Sequence, residues 1–185
     1  MTDDRPALRL ADAVRRRYRG IEPLTHLKLQ KLAFYGYGAA VAYDCAGQLT
    51  SVVFEPWAHG PVSRSVWQAF RGCGRQPIQG QPELPDFHGE LGRVLDAVVS
   101  VYGRISAWGL REQSHAARPC REAWENQLPR LRFETIRAFF KHEFADGQVY
   151  PPSFLLGRAS YDLDEIPVLP YASLFELADA LDRPA

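Results

Sequence analysis

Histidine and cysteine are the side chains of this sequence most able to act as a nucleophile, a base or a metal ligand. His115 lies five residues before Cys120, a spacing that permits a thiol–imidazole pair in which the histidine takes the thiol proton. The interval crosses an expected helix break, so the pattern favours a buried cysteine and a hydrogen-bonded histidine at a helix end. An enzyme using Cys120 and His115 therefore remains an alternative interpretation.

Metal-binding patterns are missing from the sequence. None of the five histidines pairs as HxxxH or HxH, and the three cysteines form no CxxC pair. Those are the spacings at which neighbouring residues share a zinc ion. There is also no phosphate-binding loop and no GxSxG nucleophile elbow. We predict no metal site and no cofactor, and a composite metal site built from distant segments stays open as a second enzymatic alternative.

One segment has the form of a DNA recognition helix. Gly60 to Arg71 is short and carries two arginines, Arg64 and Arg71. Nucleic-acid-binding domains usually add a broad basic surface, whereas this chain has 22 basic and 22 acidic residues and no net charge. A DNA-associated regulator is kept as an alternative, but nucleic acid is not an expected partner.

Length and composition indicate one globular domain. The chain has 185 residues, of which 46% are hydrophobic. Its first residues are acidic rather than basic and apolar, and the longest charge-free apolar stretch, 32–43, is shorter than the roughly 20 residues of a membrane helix. We expect a cytoplasmic protein with no membrane partner. Some of its four tryptophans are expected at an interface: Trp57, Trp67, Trp108 and Trp124.

The elements that position these residues are mostly helices. Apolar residues at helical spacing predict a helix from Leu8 to Tyr18, whose run of arginines we expect to be solvated. Thr25 is predicted to cap the strongest helix, in which the small residues Gly36, Ala39 and Ala40 would allow another backbone to come close. Its two apolar stripes predict that this helix is buried on more than one side. Further helices are predicted to open at Pro61, Asp86, Ser106, Pro119 and Phe133.

These elements predict a mainly α fold, a compact helical domain with a small β-hairpin or short sheet near residues 49–60. The strand is expected at Leu49 to Phe54, where the residues are β-branched and apolar. Residues 1–147 are predicted to form the helical domain. Residues 148–185, a proline-rich loop and a capped C-terminal helix, are expected to pack on that domain.

Four segments resemble the Panacea domain, the SocA-like antitoxin domain that is also found in phage-associated proteins. The family's Lys-Leu-Gln-Lys-Leu core with following aromatic residues is similar to Leu24–Tyr35, and its Ala-Trp-x-x-Gly-Pro-Val segment is similar to Phe54–Val62. Leu110–Pro119 and Phe133–Phe140 resemble its later blocks, so that the resemblance covers about residues 24–140. The departures from the family pattern are Pro56, Ser114 and Cys120.

The resemblance implies a non-enzymatic antitoxin that neutralises a cognate protein toxin by direct binding, with delivery of the toxin to a cytosolic protease as one form. In the matched motifs, Lys28, Lys31 and Tyr35 step by three and four along a less apolar helix face. We hypothesise that this face, with Trp57 and His59, holds a segment of the toxin or a small polar ligand. The other matched residues are expected to be structural: Leu29, Leu32, Gly60, Pro61, Val62 and His115.

Overall fold

Helices dominate the part of the chain that the structure, a computed structural model, describes: residues 5–19, 22–79 and 83–145. This confirms the predicted mainly α class with a small two-stranded sheet. The predicted loop and helix of 148–185 lie outside the described residues. In chain order the elements are α1 (Arg5–Arg17), α2 (His26–Ala42), β1 (Glu55–Trp57), β2 (Gly60–Val62), α3 (Arg64–Phe70), α4 (Gly89–Tyr102), α5 (Ala107–Ala116), α6 (Arg118–Glu125) and α7 (Phe133–Ala145), with 3-10 turns at Ala46–Leu49 and Arg71–Cys73.

Helix α2 lies at the centre of the fold. As predicted, Thr25 caps it, its hydroxyl accepting a hydrogen bond from the Lys28 backbone N–H at 3.4 Å. Apolar residues occur on more than one side of the helix, and every residue from 28 to 41 is buried. Helices α1, α4, α5 and α7 pack around it. A helix covered on all sides is the expected outcome of a sequence that is apolar almost all round.

The small residues of α2 receive side chains from two neighbouring helices. A Cβ atom placed on Gly38 would lie 2.0 Å from Cε2 of Phe140 on α7, and one placed on Gly36 would lie 2.9 Å from Cδ2 of Leu95 on α4. The close approach predicted at Gly36 therefore exists, but a side chain of α4 rather than a backbone makes it. Phe140 completes an aromatic cluster in the core, with its ring 5.4 Å from that of Phe34.

The β-hairpin lies later in the chain than the sequence predicts. The prediction of a strand at Leu49 to Phe54 is wrong, because β1 begins at Glu55 and pairs antiparallel with β2, with Glu55 opposite Val62 and Trp57 opposite Gly60. The prediction that Pro61 opens a helix is also wrong, since Pro61 lies in β2. Gly60 has φ +84°, a backbone conformation that suits glycine and lets the chain reverse directly after Trp57. Pro61 is tolerated in β2 because each strand of a two-stranded sheet is an edge strand, and an edge strand can include a proline.

Helix α4 begins after His88 rather than at the predicted cap, Asp86. The Asp86 carboxylate instead accepts hydrogen bonds from the Phe87 backbone N–H and from Arg17 Nη1, each at 2.7 Å. Arg17 also pairs with Asp96 at 2.7 Å. The prediction of a solvated arginine run on α1 is therefore wrong for this residue, which ties α1 to the start of α4.

Asp12 organises the rest of the arginine run. Its carboxylate, 4% exposed, pairs with Arg15 at 2.7 Å and Arg16 at 3.1 Å and accepts a hydrogen bond from the Leu84 backbone N–H at 2.8 Å. A nearly buried carboxylate with two cationic partners and one backbone partner is a structural ion cluster rather than a surface pair. It fastens the segment before α4 onto α1.

We expect Asp12→Asn to lower the free energy of unfolding by about 1.5 kcal/mol, because an amide cannot replace charge-assisted bonds to two arginines. Urea denaturation at pH 7 measures the change. Asp96→Asn is the matched control, since that side chain is 64% exposed and makes a single pair with Arg17; it should cost less than about 0.5 kcal/mol. Equal losses in the two variants would contradict a special role for Asp12.

Candidate functional site

The three α2 residues predicted to form a binding face are buried. Lys28 is 1% exposed, Lys31 0% and Tyr35 5%, so the part of the hypothesised partner-binding face that these residues form does not lie at the surface. The physical reason is the position of α2, which other helices cover on every side. Trp57 is half-buried in β1 and His59 is exposed in the hairpin turn. Partner binding by these two residues remains a prediction.

Lys28 belongs to the connection between α1 and α2. Its Nζ lies 3.3 Å from a carboxylate oxygen of Glu22 and 5.1 Å from the ring centre of Tyr18. An opposite charge and an aromatic face together compensate a buried ammonium group. Lys28 is thus a structural cation.

Lys31 lies directly beneath the β-hairpin. Its Nζ donates a hydrogen bond to the backbone carbonyl of Pro61 at 2.9 Å. A Cβ atom placed on Gly60 would lie 3.2 Å from this Nζ, 3.0 Å from Ser114 Oγ and 3.4 Å from the His115 backbone nitrogen. The missing side chain at Gly60 therefore lets the hairpin seat tightly on both α2 and α5.

The electrostatics of Lys31 are unusual for a lysine. Among the described residues no carboxylate oxygen lies within 4 Å of its Nζ. Burial lowers the pKa of Lys31 to about 7, with a further lowering from Arg111 and an opposing effect of Cys120. Burial, and then the charge of Lys31, lowers the pKa of His26 on the same helix. A strongly perturbed buried cation beside a hairpin turn is a feature typical of functional sites.

Tyr35 contacts both α4 and α5. Its ring stacks on that of Tyr102, the last residue of α4, at 4.2 Å, and its hydroxyl lies 3.5 Å from the side-chain oxygen of Gln113 on α5. Burial raises the pKa of Tyr35, so the phenol keeps its proton and can donate to Gln113. Tyr35 and Lys31 therefore fix α5 and the hairpin to α2.

An exposed aromatic surface covers the outer side of these two elements. Trp108 on α5 is 58% exposed and Trp124 on α6 is 52% exposed. The Arg111 guanidinium lies 4.7 Å from the ring centre of Trp108, and its Nη2 donates to the Ala58 carbonyl in the hairpin turn at 3.4 Å. The His115 ring lies 6.4 Å from that of Trp124. We call this surface the hairpin–α5 face and define it by five residues: His59, Trp108, Arg111, His115 and Trp124.

Only part of this face can be predicted from the sequence. His59 is predicted to take part in partner binding, His115 is expected to be structural, and the two tryptophans are among the four of which some are expected at an interface. The signal that could have found it is the spacing of Trp108, Arg111 and His115 by three and four residues, which places them on one side of a helix. No local pattern in the sequence shows that α6 and the hairpin turn adjoin that side.

The thiol–imidazole alternative meets an unfavourable environment. Cys120 is 1% exposed, and burial raises its pKa to about 11, although Lys31 acts in the opposite direction. A nucleophilic cysteine needs a lowered pKa, because the thiolate is the reactive form. Cys120 thus has the properties of a core residue. In the described ranges no group of three or more His, Cys, Asp or Glu side chains is arranged to hold a metal ion.

The two arginines of the segment considered as a DNA recognition helix are exposed, and both make contacts with other residues of the chain. Arg64 forms two hydrogen bonds to the Glu55 carboxylate, at 2.8 and 2.7 Å, and lies 5.6 Å from the ring centre of Trp57. Trp57 donates to the same carboxylate at 2.8 Å, and its ring is 5.5 Å from that of Trp67. Arg71 lies 5.2 Å from the ring centre of Trp67. These contacts stiffen the hairpin and α3.

Comparison of the sequence with protein-family models, with curated proteins and with solved structures found no match. The helices of the described ranges also include none with the length and apolar character needed to cross a membrane. The resemblance to the Panacea domain therefore rests on the motifs of the sequence alone.

Proposed function

We propose that this chain is the antitoxin of a toxin–antitoxin pair, and that it neutralises a toxin encoded beside it by direct protein–protein binding. Handing the bound toxin to a cytosolic protease is one form of this activity. The observation that carries the proposal is the hairpin–α5 face, on which Trp108, beside Arg111, and Trp124, beside His115, are each more than half exposed. The motif resemblance supplies the type of partner.

The composition of the face supports a protein partner. Tryptophan and arginine are the side chains that most often dominate binding energy at protein interfaces. Trp108 and Trp124 present large apolar surfaces, and His59 and His115 supply a polar margin. An apolar centre with a polar rim is the usual arrangement of a protein-binding surface.

The residues beneath the face support it in another way. Lys31 holds the hairpin through the Pro61 carbonyl, and Tyr35 contacts α5 through Gln113 and the end of α4 through Tyr102. A surface already fixed in its binding shape loses little conformational entropy on association, which favours affinity. In this proposal the α2 motif residues position the binding surface instead of touching the partner.

The two other functional classes receive less support. A cysteine enzyme would need a lowered thiol pKa, and burial raises that of Cys120. A DNA reader would need free basic side chains on α3, and Arg64 is paired with Glu55. The binding role needs neither of these features.

The double variant Trp108→Ala/Trp124→Ala tests the proposal. We expect at least tenfold weaker binding to the neighbouring gene's toxin, because truncation of a central interface tryptophan commonly costs 2 kcal/mol or more by order of magnitude. Co-expression with that toxin scores growth, and co-purification followed by titration scores binding. Far-UV circular dichroism checks that the variant folds.

Phe133→Ala is the matched control, because Phe133 is 47% exposed but lies on α7 and is not part of the face. It should leave growth rescue and affinity unchanged. Full rescue of growth and unchanged affinity in the double tryptophan variant would show that the hairpin–α5 face does not bind the toxin. A harmless neighbouring gene product that forms no complex would reject the antitoxin role itself.

A further inference from the structure

Basic side chains gather around the hairpin–α5 face. Burial lowers the pKa of His115, and Arg111, Lys31 and His59 lower it further, with Glu112 as the opposing carboxylate. These basic side chains come from α2, the hairpin and α5. Cys120, which lies below them on α6, is protonated at neutral pH because burial raises its pKa. An anion placed at this surface would be attracted by the Arg111 guanidinium group.

Arg111 has unused hydrogen-bonding capacity. It pairs with Glu112, and its Nη2 makes only a long bond, 3.4 Å, to the Ala58 carbonyl. Its Nε is buried and donates to none of the described residues. A guanidinium group carries five N–H donors in a rigid fork that matches a carboxylate. Arg111 is therefore the group on this face best suited to an incoming carboxylate.

Apolar surface borders this cationic centre on two sides. Trp108 lies against Arg111, and Trp124 lies against His115. Both tryptophans are more than half exposed. A ligand that pairs with Arg111 must therefore also offer apolar groups in order to cover the rings. Free inorganic anions lack such groups, whereas a peptide with an acidic and an apolar side chain has both.

We propose that the hairpin–α5 face binds an acidic segment of a partner protein, with one carboxylate beside Arg111 and His59 and with apolar side chains covering Trp108 and Trp124. The proposal rests on the protein-binding role proposed above and adds the chemistry of the bound segment. A nucleic acid fits less well, because the face has one arginine and Glu112 beside it rather than a row of cations that follows successive phosphates.

Selection of random twelve-residue peptides displayed on phage, with the full chain as bait, tests the proposal without knowledge of the toxin. We expect the selected peptides to contain aspartate or glutamate next to tryptophan, phenylalanine or leucine. Synthetic copies of a selected peptide with each carboxylate changed to its amide should bind at least tenfold more weakly to the unaltered protein. This second measurement requires no folded variant.

The variant Arg111→Gln should bind the acidic peptide at least tenfold more weakly. Arg71→Ala is the matched control, because Arg71 also lies against a tryptophan but directly after α3, in the turn Arg71–Cys73, and it should bind normally. Selection of basic or charge-independent peptides, no enrichment at all, or equal binding by Arg111→Gln would each overturn the proposal. A twelve-residue oligothymidylate that displaces the bound peptide at a lower concentration than the free peptide itself does would overturn the proposal and favour a nucleic acid as the ligand.

The same variants separate this inference from the antitoxin role. Normal binding of acidic peptides by a chain that neutralises no toxin would reject the antitoxin role and keep the face. Full neutralisation and unchanged toxin affinity in Arg111→Gln would reject the acidic-segment inference and keep the antitoxin role.

Discussion

Lys31→Met is expected to raise the free energy of unfolding by about 3 kcal/mol at pH 6–7. Lys31 is 0% exposed and has only a carbonyl partner, Pro61. Burial has lowered its pKa from the ordinary 10.5 to about 7, which is the measure of how unfavourable the buried ammonium is. Methionine keeps the length and apolar stem of the side chain, removes the charge, and leaves the Pro61 carbonyl without its donor at a cost of about 1 kcal/mol.

The sign of the pH dependence follows from proton counting. Between pH 7 and 10.5 the unfolded chain holds the Lys31 proton and the folded chain does not. The free energy of unfolding of the unaltered protein should therefore rise with pH over this window, by up to about 1.4 kcal/mol per unit. Below pH 7 both states are protonated, and the full penalty of the buried charge is present. The advantage of Lys31→Met should thus be largest at pH 7 and below and should vanish towards pH 10.

Guanidinium denaturation at pH 6, 7, 8, 9 and 10 measures both effects. Lys141→Met is the control, because this lysine is 43% exposed and paired with Asp44, and it should leave the slope with pH unchanged. Parallel pH profiles for the unaltered protein and Lys31→Met would show that Lys31 keeps its proton throughout. That result would contradict the conclusion that burial beneath the hairpin lowers the pKa of Lys31.

Gly38→Ala is expected to lower the free energy of unfolding by about 3 kcal/mol. The added Cβ would lie 2.0 Å from the ring of Phe140, and that ring is 1% exposed and enclosed by the aromatic core. Alanine also gains up to about 1 kcal/mol of helix propensity over glycine, but overlap with an enclosed ring outweighs it. Either α7 or the Phe140 ring must move.

A double-mutant cycle with Phe140→Leu locates the clash. The substitution Gly38→Ala should cost at least about 1 kcal/mol less in the leucine background, because the ring edge that it meets is gone. Gly47→Ala is the control, since a Cβ at that position meets no atom within 4 Å, and it should change stability by less than about 0.5 kcal/mol. An unchanged cost of Gly38→Ala in the two backgrounds would place the strain elsewhere.

Local patterns in the sequence predict helix caps and buried helix faces, because these features depend on residues that are close together in the chain. The caps at Thr25 and Ser106 accept hydrogen bonds from the backbone N–H groups three residues later, as such caps do. The apolar stripes of α2 indicated a helix buried on more than one side. The hairpin was misplaced because β-branched residues indicate a preference, whereas strand pairing also needs a partner that the turn brings alongside.

The candidate site could be predicted only in part, because its parts meet through long-range contacts. Lysine is normally an exposed residue, and the group that holds Lys31 inside, the Pro61 carbonyl, lies 30 positions away in the chain. The same reasoning applies to the arginines of α1, whose partner Asp86 is 69 positions from Arg17. A charge pattern shows that partners are needed but does not show which distant residues supply them.

The central position of α2 has a consequence for synthesis on the ribosome. This helix emerges before α4, α5 and α7, which enclose it and follow over roughly the next 100 residues. At roughly 5–20 residues per second, its apolar surface waits on the order of 5–20 s for its last partner. The nascent chain therefore passes through a period in which its most apolar helix lacks most of its cover, and a holding chaperone would have its greatest effect there.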